Sequence, residues 1–309
     1  MRNAFAQVVT ELAADNPNLV LLAGDIGNRM FDPFKGKYPD RFYNCGVAEA
    51  GMTGIAAGLA ACGLQPITYT ITPFNTLRCL EQIRDDVCYP NLPVIIVGTG
   101  SGLCYADLGP THHSMDDIGA LRLFPNMNVV CPGDPVEVKL AIAAALDKKC
   151  PTYIRLGKKG EPTIHKYPPT FEIGRGIVLQ EGTDVALLSV GNVLPLVVEC
   201  GEHLTDKGYS VGVVSLHTVK PLDEILLKNI FEQYQAIAVV EEHGLAGGAG
   251  SAILEWGCAK RVDLRKLHCF GGPDRFLSAC GKQQQARSSI GLDTQTIVSS
   301  LLQSLEVIC

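Results

Sequence analysis

No two of the 12 cysteines in this 309-residue chain form a C-x-x-C pair. They are scattered from Cys45 to Cys309, mostly inside apolar runs such as Ala61-Cys62-Gly63 and Val130-Cys131-Pro132. Metal and disulfide frameworks need tighter clustering, so no metal site is expected on this chain and the thiols read as buried and reduced. The opening residues, Met1-Arg2-Asn3-Ala4-Phe5, lack the apolar core of a signal peptide, and no apolar stretch is long and unbroken enough to span a bilayer. A soluble, cytoplasmic protein is the expectation. Charge is scarce as well: 19% of residues are charged, which suits a surface partly covered by other protein. A net charge of -6 leaves no electrostatic footprint for nucleic acid or an anionic membrane, and neither is expected as a partner. Any anionic substrate must then be held by local Arg, Lys or His.

Hydrophobic residues make up 47% of the chain, ample for buried cores, and the length corresponds to about two domains of roughly 100–200 residues. Apolar periodicity predicts a helix over 3–14 ended by Asn16-Pro17, a strand Leu19–Ala23, a helix Ala48–Cys62 and a strand Ile67–Ile71. A helix Thr76–Val87, strands Pro93–Val97 and Asn128–Val130, a helix Pro135–Leu146 and a strand Thr152–Leu156 complete a first unit. A charged stretch with Pro162, Pro168 and Pro169 follows. Beyond it, strands Val185–Val190, Ser210–Ser215 and Ala236–Glu241 alternate with helices Leu194–Lys207, Asp223–Gln233, Gly250–Ala259 and Asp293–Leu305. This alternation reads as an α/β fold class: two consecutive three-layer α/β/α domains, 1–160 and 176–309, joined by a linker over 161–175. Helix 48–62 carries Gly51, Gly54, Ala57, Gly58 and Ala61 at close spacing. Such a surface lets another helix or subunit approach closely, and self-association through this chain is expected.

A glycine-rich loop, Gly98-Thr99-Gly100-Ser101-Gly102, follows the strand at 93–97. A dinucleotide fingerprint requires a helix to start at once, and Leu103–His113, with its Gly109-Pro110, does not read as one. Four other segments carry more. Asn44-Cys45-Gly46-Val47-Ala48-Glu49-Ala50-Gly51-Met52 opens a helix behind a short strand, and Pro73-Phe74 precedes Leu80-Glu81-Gln82-Ile83-Arg84-Asp85-Asp86-Val87. Gly109-Pro110-Thr111-His112-His113 follows the glycine loop, and Leu123-Phe124-Pro125-Asn126-Met127 comes next. In order and spacing these resemble the pyrimidine-binding domain of transketolases and 1-deoxyxylulose-5-phosphate synthases. Their pieces read G-V/I-x-E, an aromatic before a helix, G-P-T-H and P-N-M. The second half resembles the C-terminal domain of the same enzymes through Val219-Lys220-Pro221-Leu222-Asp223 and Glu241-Glu242-His243-Gly244. The resemblance covers nearly the whole chain.

That resemblance implies thiamine diphosphate as cofactor and gives Glu49 a specific task. A carboxylic acid hydrogen-bonded to N1′ of the aminopyrimidine favours the imino tautomer, whose exocyclic nitrogen then takes the proton from thiazolium C2. Burial beside an aromatic ring suits such a proton donor. Position alone would equally allow Glu49 a capping or dipole contact at its helix start. Phe74, four residues before Arg78, is the implied ring to stack on the pyrimidine, with Thr72 or Asn75 as its equivalent if the match shifts slightly. Asp25, at the strand end that opens the domain, and Arg78 complete the implied cofactor contacts.

His112 is implied to face the sugar near C2, where a histidine donates to a developing alkoxide or shuttles protons. His113, implied beside it at the substrate, stands where transketolases usually carry glutamine. Those enzymes also place an aspartate directly before G-P-T-H. Here Leu108 stands there, with Asp107 one residue earlier. Either Asp107 reaches the substrate by a different backbone path, or an unusual or deoxy sugar is bound. Arg2, spaced before Asp25 like a phosphate-binding arginine of the family, and Arg155 or Lys158 are the implied anchors for a substrate phosphate.

The diphosphate-binding domain of these enzymes carries G-D-G and, roughly 25–30 residues later, an asparagine that helps hold Mg²⁺. Gly24-Asp25-Ile26-Gly27 lacks that downstream motif. The expectation is therefore one subunit of a split transketolase-type transferase, moving a two-carbon ketol unit from a ketose to an aldose. Its partner, an N-terminal subunit, would bind the diphosphate and Mg²⁺ in an α2β2 assembly, with the sugar phosphate at the interface. A domain beginning directly at Met1 suits a separate gene product. Three alternatives stay open: the β subunit of a 2-oxo acid dehydrogenase, a deoxyxylulose-phosphate-synthase-like carboligase, and a non-catalytic scaffold that keeps the fold.

Overall fold

The computed structural model describes residues 1–27, 29–278 and 281–308. Its strands are β1 (Leu19–Ala23), β2 (Phe42–Asn44), β3 (Gln65–Ile71), β4 (Ile95–Thr99), β5 (Asn128–Val130) and β6 (Thr152–Leu156), then β7 (Ile177–Gln180), β8 (Val185–Val190), β9 (Val211–Ser215), β10 (Thr218–Lys220), β11 (Ala236–Gly244) and β12 (Leu267–Gly272). They form two sheets, ordered β10-β5-β6-β4-β3-β1-β2 and β12-β11-β8-β9-β7.

In the first sheet β1 to β6 pair in parallel and only β10 runs antiparallel, against β5. Strands such as Leu19–Ala23 and Ile95–Thr99 are buried at every residue, as expected where helices cover both faces of a parallel sheet. Helices 2–15 and 135–148 close one face around Phe5, Val9, Leu21, Val138 and Ile142. Helix 49–61 closes the other with Met52 and Ala56. The second sheet is parallel apart from β7, and helices 194–206 and 294–308 pack on one face, 224–233 and 249–260 on the other. Two α/β domains of three layers each result.

The domains share one apolar core, in which Ile118 and Met127 join Leu188, Val190, Leu216 and Trp256. Several of the motif residues build this seam. Asn126 takes a left-handed turn, φ 65°, and its amide donates to Cys88 O, which seats Met127 in the core. Asp223 starts helix 224–233 by accepting from Leu226 N–H, and also accepts from Gly176 N–H. Glu241 accepts from Ala249 and Gly250 N–H, while Arg287 and Gln283 hold Glu242.

The helix expected over 76–87 is broken. The chain makes a turn at Thr72–Asn75, tightens at Leu77–Cys79, and widens into a π-helical turn at Ile83–Cys88. Thr72 Oγ1 donates to Thr99 O, Asn75 Nδ2 to Val97 O, and Thr76 Oγ1 to Thr72 O. Short polar side chains here bond backbone that a regular helix would leave to others.

Candidate active site

The loops that leave β1, β2, β3, β4 and β6 at their carboxyl ends carry nearly all of the expected site residues. In open α/β sheets this is the edge where ligands bind. A groove lined by Leu12, Asn18, Gln65 and Leu146 lies at the opposite edge, where β3 begins, away from these residues.

Glu49 owes its place to the loop after β2. Cys45 N–H donates to Ala23 O at 2.8 Å and Gly46 N–H to Asn44 Oδ1 at 2.8 Å, with Gly46 at φ 65°, a conformation free of strain only for glycine. The chain thereby delivers Glu49 as the first residue of helix 49–61. It is 3% exposed, and its Oε2 accepts from Arg78 Nη1 at 2.9 Å. The Arg78 guanidinium lies 4.3 Å from the centroid of the Phe74 ring. Phe74 in turn meets the His112 ring edge-on, with centroids 5.2 Å apart at 71°. Thr72 and Asn75, fully buried and bonded to strand carbonyls, are locks for this turn and offer no stacking surface.

Beyond His112 the row continues through a residue that sequence reasoning missed. Tyr105 lies 6.1 Å from the His112 ring, and Lys158 Nζ sits 4.1 Å over its face. Arg2 is near enough to favour ionisation of the Tyr105 hydroxyl, although burial outweighs it and pushes that group up. Arg2 Nε is buried without a hydrogen-bond partner. The available signal was modest: Tyr105 is the only aromatic between Gly98 and Thr111. The loop glycines make room for it. A Cβ on Gly100 would stand 1.9 Å from Tyr105 Cε2, and one on Gly102 would stand 2.7 Å from Glu242 Cγ, so the loop serves packing.

Burial lowers the His112 ring from the usual histidine range, His113 lowers it further, and Asp107 opposes both. Nδ1 of His112 lies 3.0 Å from Thr111 Oγ1. Asp25, Asp107 and Leu108 are exposed on the rim. His113 is buried and lines a separate small cavity with Met115, Asp116 and Phe276.

Arg155 requires a correction. It is 2% exposed, pairs with Asp117 at 2.7 Å, and donates through Nη2 to Ser114 O and Glu242 O. Its guanidinium is enclosed in the domain seam, where no substrate phosphate reaches it. Of the two residues implied for that position, Lys158 is the one that lies over Tyr105, next to the His112 ring.

Among the described residues, Asp134, Glu137 and His165 form the one group of three side chains with ligand atoms close enough, within 4.8 Å, to share a metal ion. Their oxygens are already engaged. Asp134 accepts from the N–H groups of Val136, Glu137, Ile164 and His165, and Glu137 from Gly133 N–H, Ser215 and His165. This cluster fastens the linker to the loop after β5.

The site thus presents a nearly enclosed carboxyl, joined through Arg78 to a half-buried aromatic face, with a histidine adjoining and two cations further along. A flat heteroaromatic ring with a polar edge fits the first pair. The chain belongs to the transketolase family: residues 1–162 match the family model "Transketolase, pyrimidine binding domain" and residues 174–297 match "Transketolase, C-terminal domain". It is 33% identical over 309 residues to the putative transketolase C-terminal section of Methanocaldococcus jannaschii, covering 99% of this chain and 96% of that protein. It is 36% identical over 270 residues to one subunit of the apulose-4-phosphate transketolase of Actinobacillus succinogenes, covering 87% of this chain and 86% of that one. Against the 1-deoxy-D-xylulose-5-phosphate synthase of Desulfotalea psychrophila it is 34% identical over 98% of its own length but spans only 47% of that enzyme. A solved split gene transketolase, an inactive beta4 tetramer, matches with a TM-score of 0.89 at 31% identity over 99% of this chain and 98% of the other.

Proposed function

We propose that this chain is the pyrimidine-binding subunit of a thiamine diphosphate-dependent transketolase that acts only when joined to a diphosphate-binding subunit. The observation that carries this reading is Glu49, a buried carboxyl at the carboxyl edge of the sheet, linked through Arg78 to the Phe74 ring that His112 adjoins. When bound, thiamine diphosphate supplies an electron sink at its thiazolium carbon. Glu49 holds the proton shared with the pyrimidine ring nitrogen, and Phe74 fixes that ring's plane. His112 serves a substrate oxygen, donating to charge that develops there. Arg2 and Lys158, around Tyr105, suit a phosphate at the substrate's far end. Mg²⁺ and the diphosphate fall to the partner.

Leu108, 49% exposed, stands where the family's hydroxyl-reading carboxylate would be. A ketose that lacks that hydroxyl or places it differently is therefore the expected donor class. Similarity to a transketolase subunit named for apulose 4-phosphate favours the same reading.

Purified alone with thiamine diphosphate, Mg²⁺ and a ketose phosphate panel, the chain is expected to show no turnover, and with its co-purified partner it should turn over. Robust activity of the chain alone would sink the split-subunit reading. In the complex, Glu49→Gln should lower kcat by about 10²–10⁴-fold, the range of general acid–base catalysis. Similarity to deoxyxylulose-phosphate synthase supports a second reading, carboligation from pyruvate, which release of CO₂ would identify.

A further inference from the structure

Arg78 contacts both side chains that the preceding reading assigns to the pyrimidine. Its Nη1 meets Glu49 Oε2 at 2.9 Å, and its Cζ lies 4.3 Å from the Phe74 ring centroid. Those are the two surfaces, one carboxyl and one aromatic face, that an aminopyrimidine would use. A guanidinium is flat, delocalised and edged with N–H donors, so it satisfies a carboxylate and an aromatic face together. Both groups cannot hold the same oxygen and the same face at once. The exposures show which of them yields: the Arg78 side chain is 48% exposed and that of Glu49 only 4%. Arg78 can swing into solvent on its long stem, whereas Glu49 is held at the start of its helix.

We propose that Arg78 is a displaceable plug, which fills the pyrimidine seat of the cofactor-free chain and must leave it before the cofactor can load. A buried carboxylate left without a partner is costly, and the plug supplies that partner while the seat is empty. On this account Arg78, which the family resemblance implies as a cofactor contact, instead opposes cofactor binding. The proposal rests on the reading of Glu49 and Phe74 as the pyrimidine seat, and its test separates the two.

The probe is the free hydroxymethyl aminopyrimidine fragment of thiamine, titrated into the full chain and followed by ligand-observed NMR and calorimetry. Arg78→Ala and Arg78→Gln should bind it roughly 3- to 30-fold more tightly than the unaltered chain, the range for one half-exposed ion pair and one cation–π contact. That gain should vanish when Glu49→Ala is added. If the Arg78 variants bind no better than the unaltered chain while Glu49→Ala weakens binding, the plug is overturned and the seat stands. If Glu49→Ala leaves binding unchanged in both backgrounds, or no variant binds the fragment, the seat itself is wrong and the plug falls with it.

Discussion

His112 titrates under opposing influences from its own loop. Burial and His113 hold its ring below the ordinary value, and Asp107 pulls the other way. Followed by NMR, the ring of His113→Asn should titrate at higher pH than in the unaltered chain, and that of Asp107→Asn at lower pH. A shift of the same sign in both would refute this account. Around that ring, legibility varied with how local each cause was. Phe74 and His112 lie 38 positions apart, but each sits in a motif of its own, and their contact follows from two strands ending on one edge. Arg155 misled because its partners, Asp117 and the backbone of Ser114 and Glu242, are 38, 41 and 87 positions away. Nothing in the sequence near Arg155 distinguishes a phosphate anchor from a buried tie.

Among the elements, β6 and β11 are joined by that tie. Arg155→Ala would leave Asp117 as an uncompensated buried charge and should cost about 3–5 kcal/mol in urea unfolding. Replacing both partners with apolar residues of similar volume, Arg155→Met with Asp117→Leu, should cost much less, because no charge is then stranded. If the double variant proves as unstable as the single one, packing at the seam is the larger contribution. The break of the expected 76–87 helix has a similarly local origin. Its apolar spacing is helical, yet Thr72, Asn75 and Thr76 bond backbone that only the neighbouring strands and the turn itself bring within reach. The short strands β7 and β10 left little periodicity to read and β12 is mostly only half-buried, whereas the fully buried runs of β1, β6 and β8 were plain.

For the whole molecule, pH stability should be set largely at the linker cluster. His217, buried with its ring stacked on Phe171 of the linker, is lowered by that burial to about 4, against the opposing pull of Glu137 and Asp223. As pH falls from about 6.5 toward that value, the unfolded chain takes up a proton that the folded chain refuses, so stability declines by on the order of 3 kcal/mol. His165 acts in the opposite sense. Its bond to Glu137 raises its pKa, so its contribution is complete below about 6.5 and fades as pH rises through the raised value. Thermal unfolding between pH 4 and 8 should show Tm falling on the acid side, with His217→Gln flattening that limb. An unchanged acid limb in His217→Gln would show that other groups govern it. The α/β alternation was legible from periodicity because both sheets are buried on two faces. The joining of the two cores was not, since it depends on which helix faces meet.

That joining has one consequence for how the chain can be divided. β10 belongs to the second half by sequence but hydrogen-bonds to β5 of the first, and Lys220 donates from it to the carbonyls of Arg122 and Phe124. A fragment ending at residue 160 would lose this protecting strand and present β5 as a bare edge, open to pairing with any extended chain. Such a fragment should gather into soluble oligomers or precipitate, and calorimetry of the full chain should show a single heat-absorption peak. Expressed as two separate halves, the domains should stay soluble only when both are present together, because each completes the other's sheet or seam.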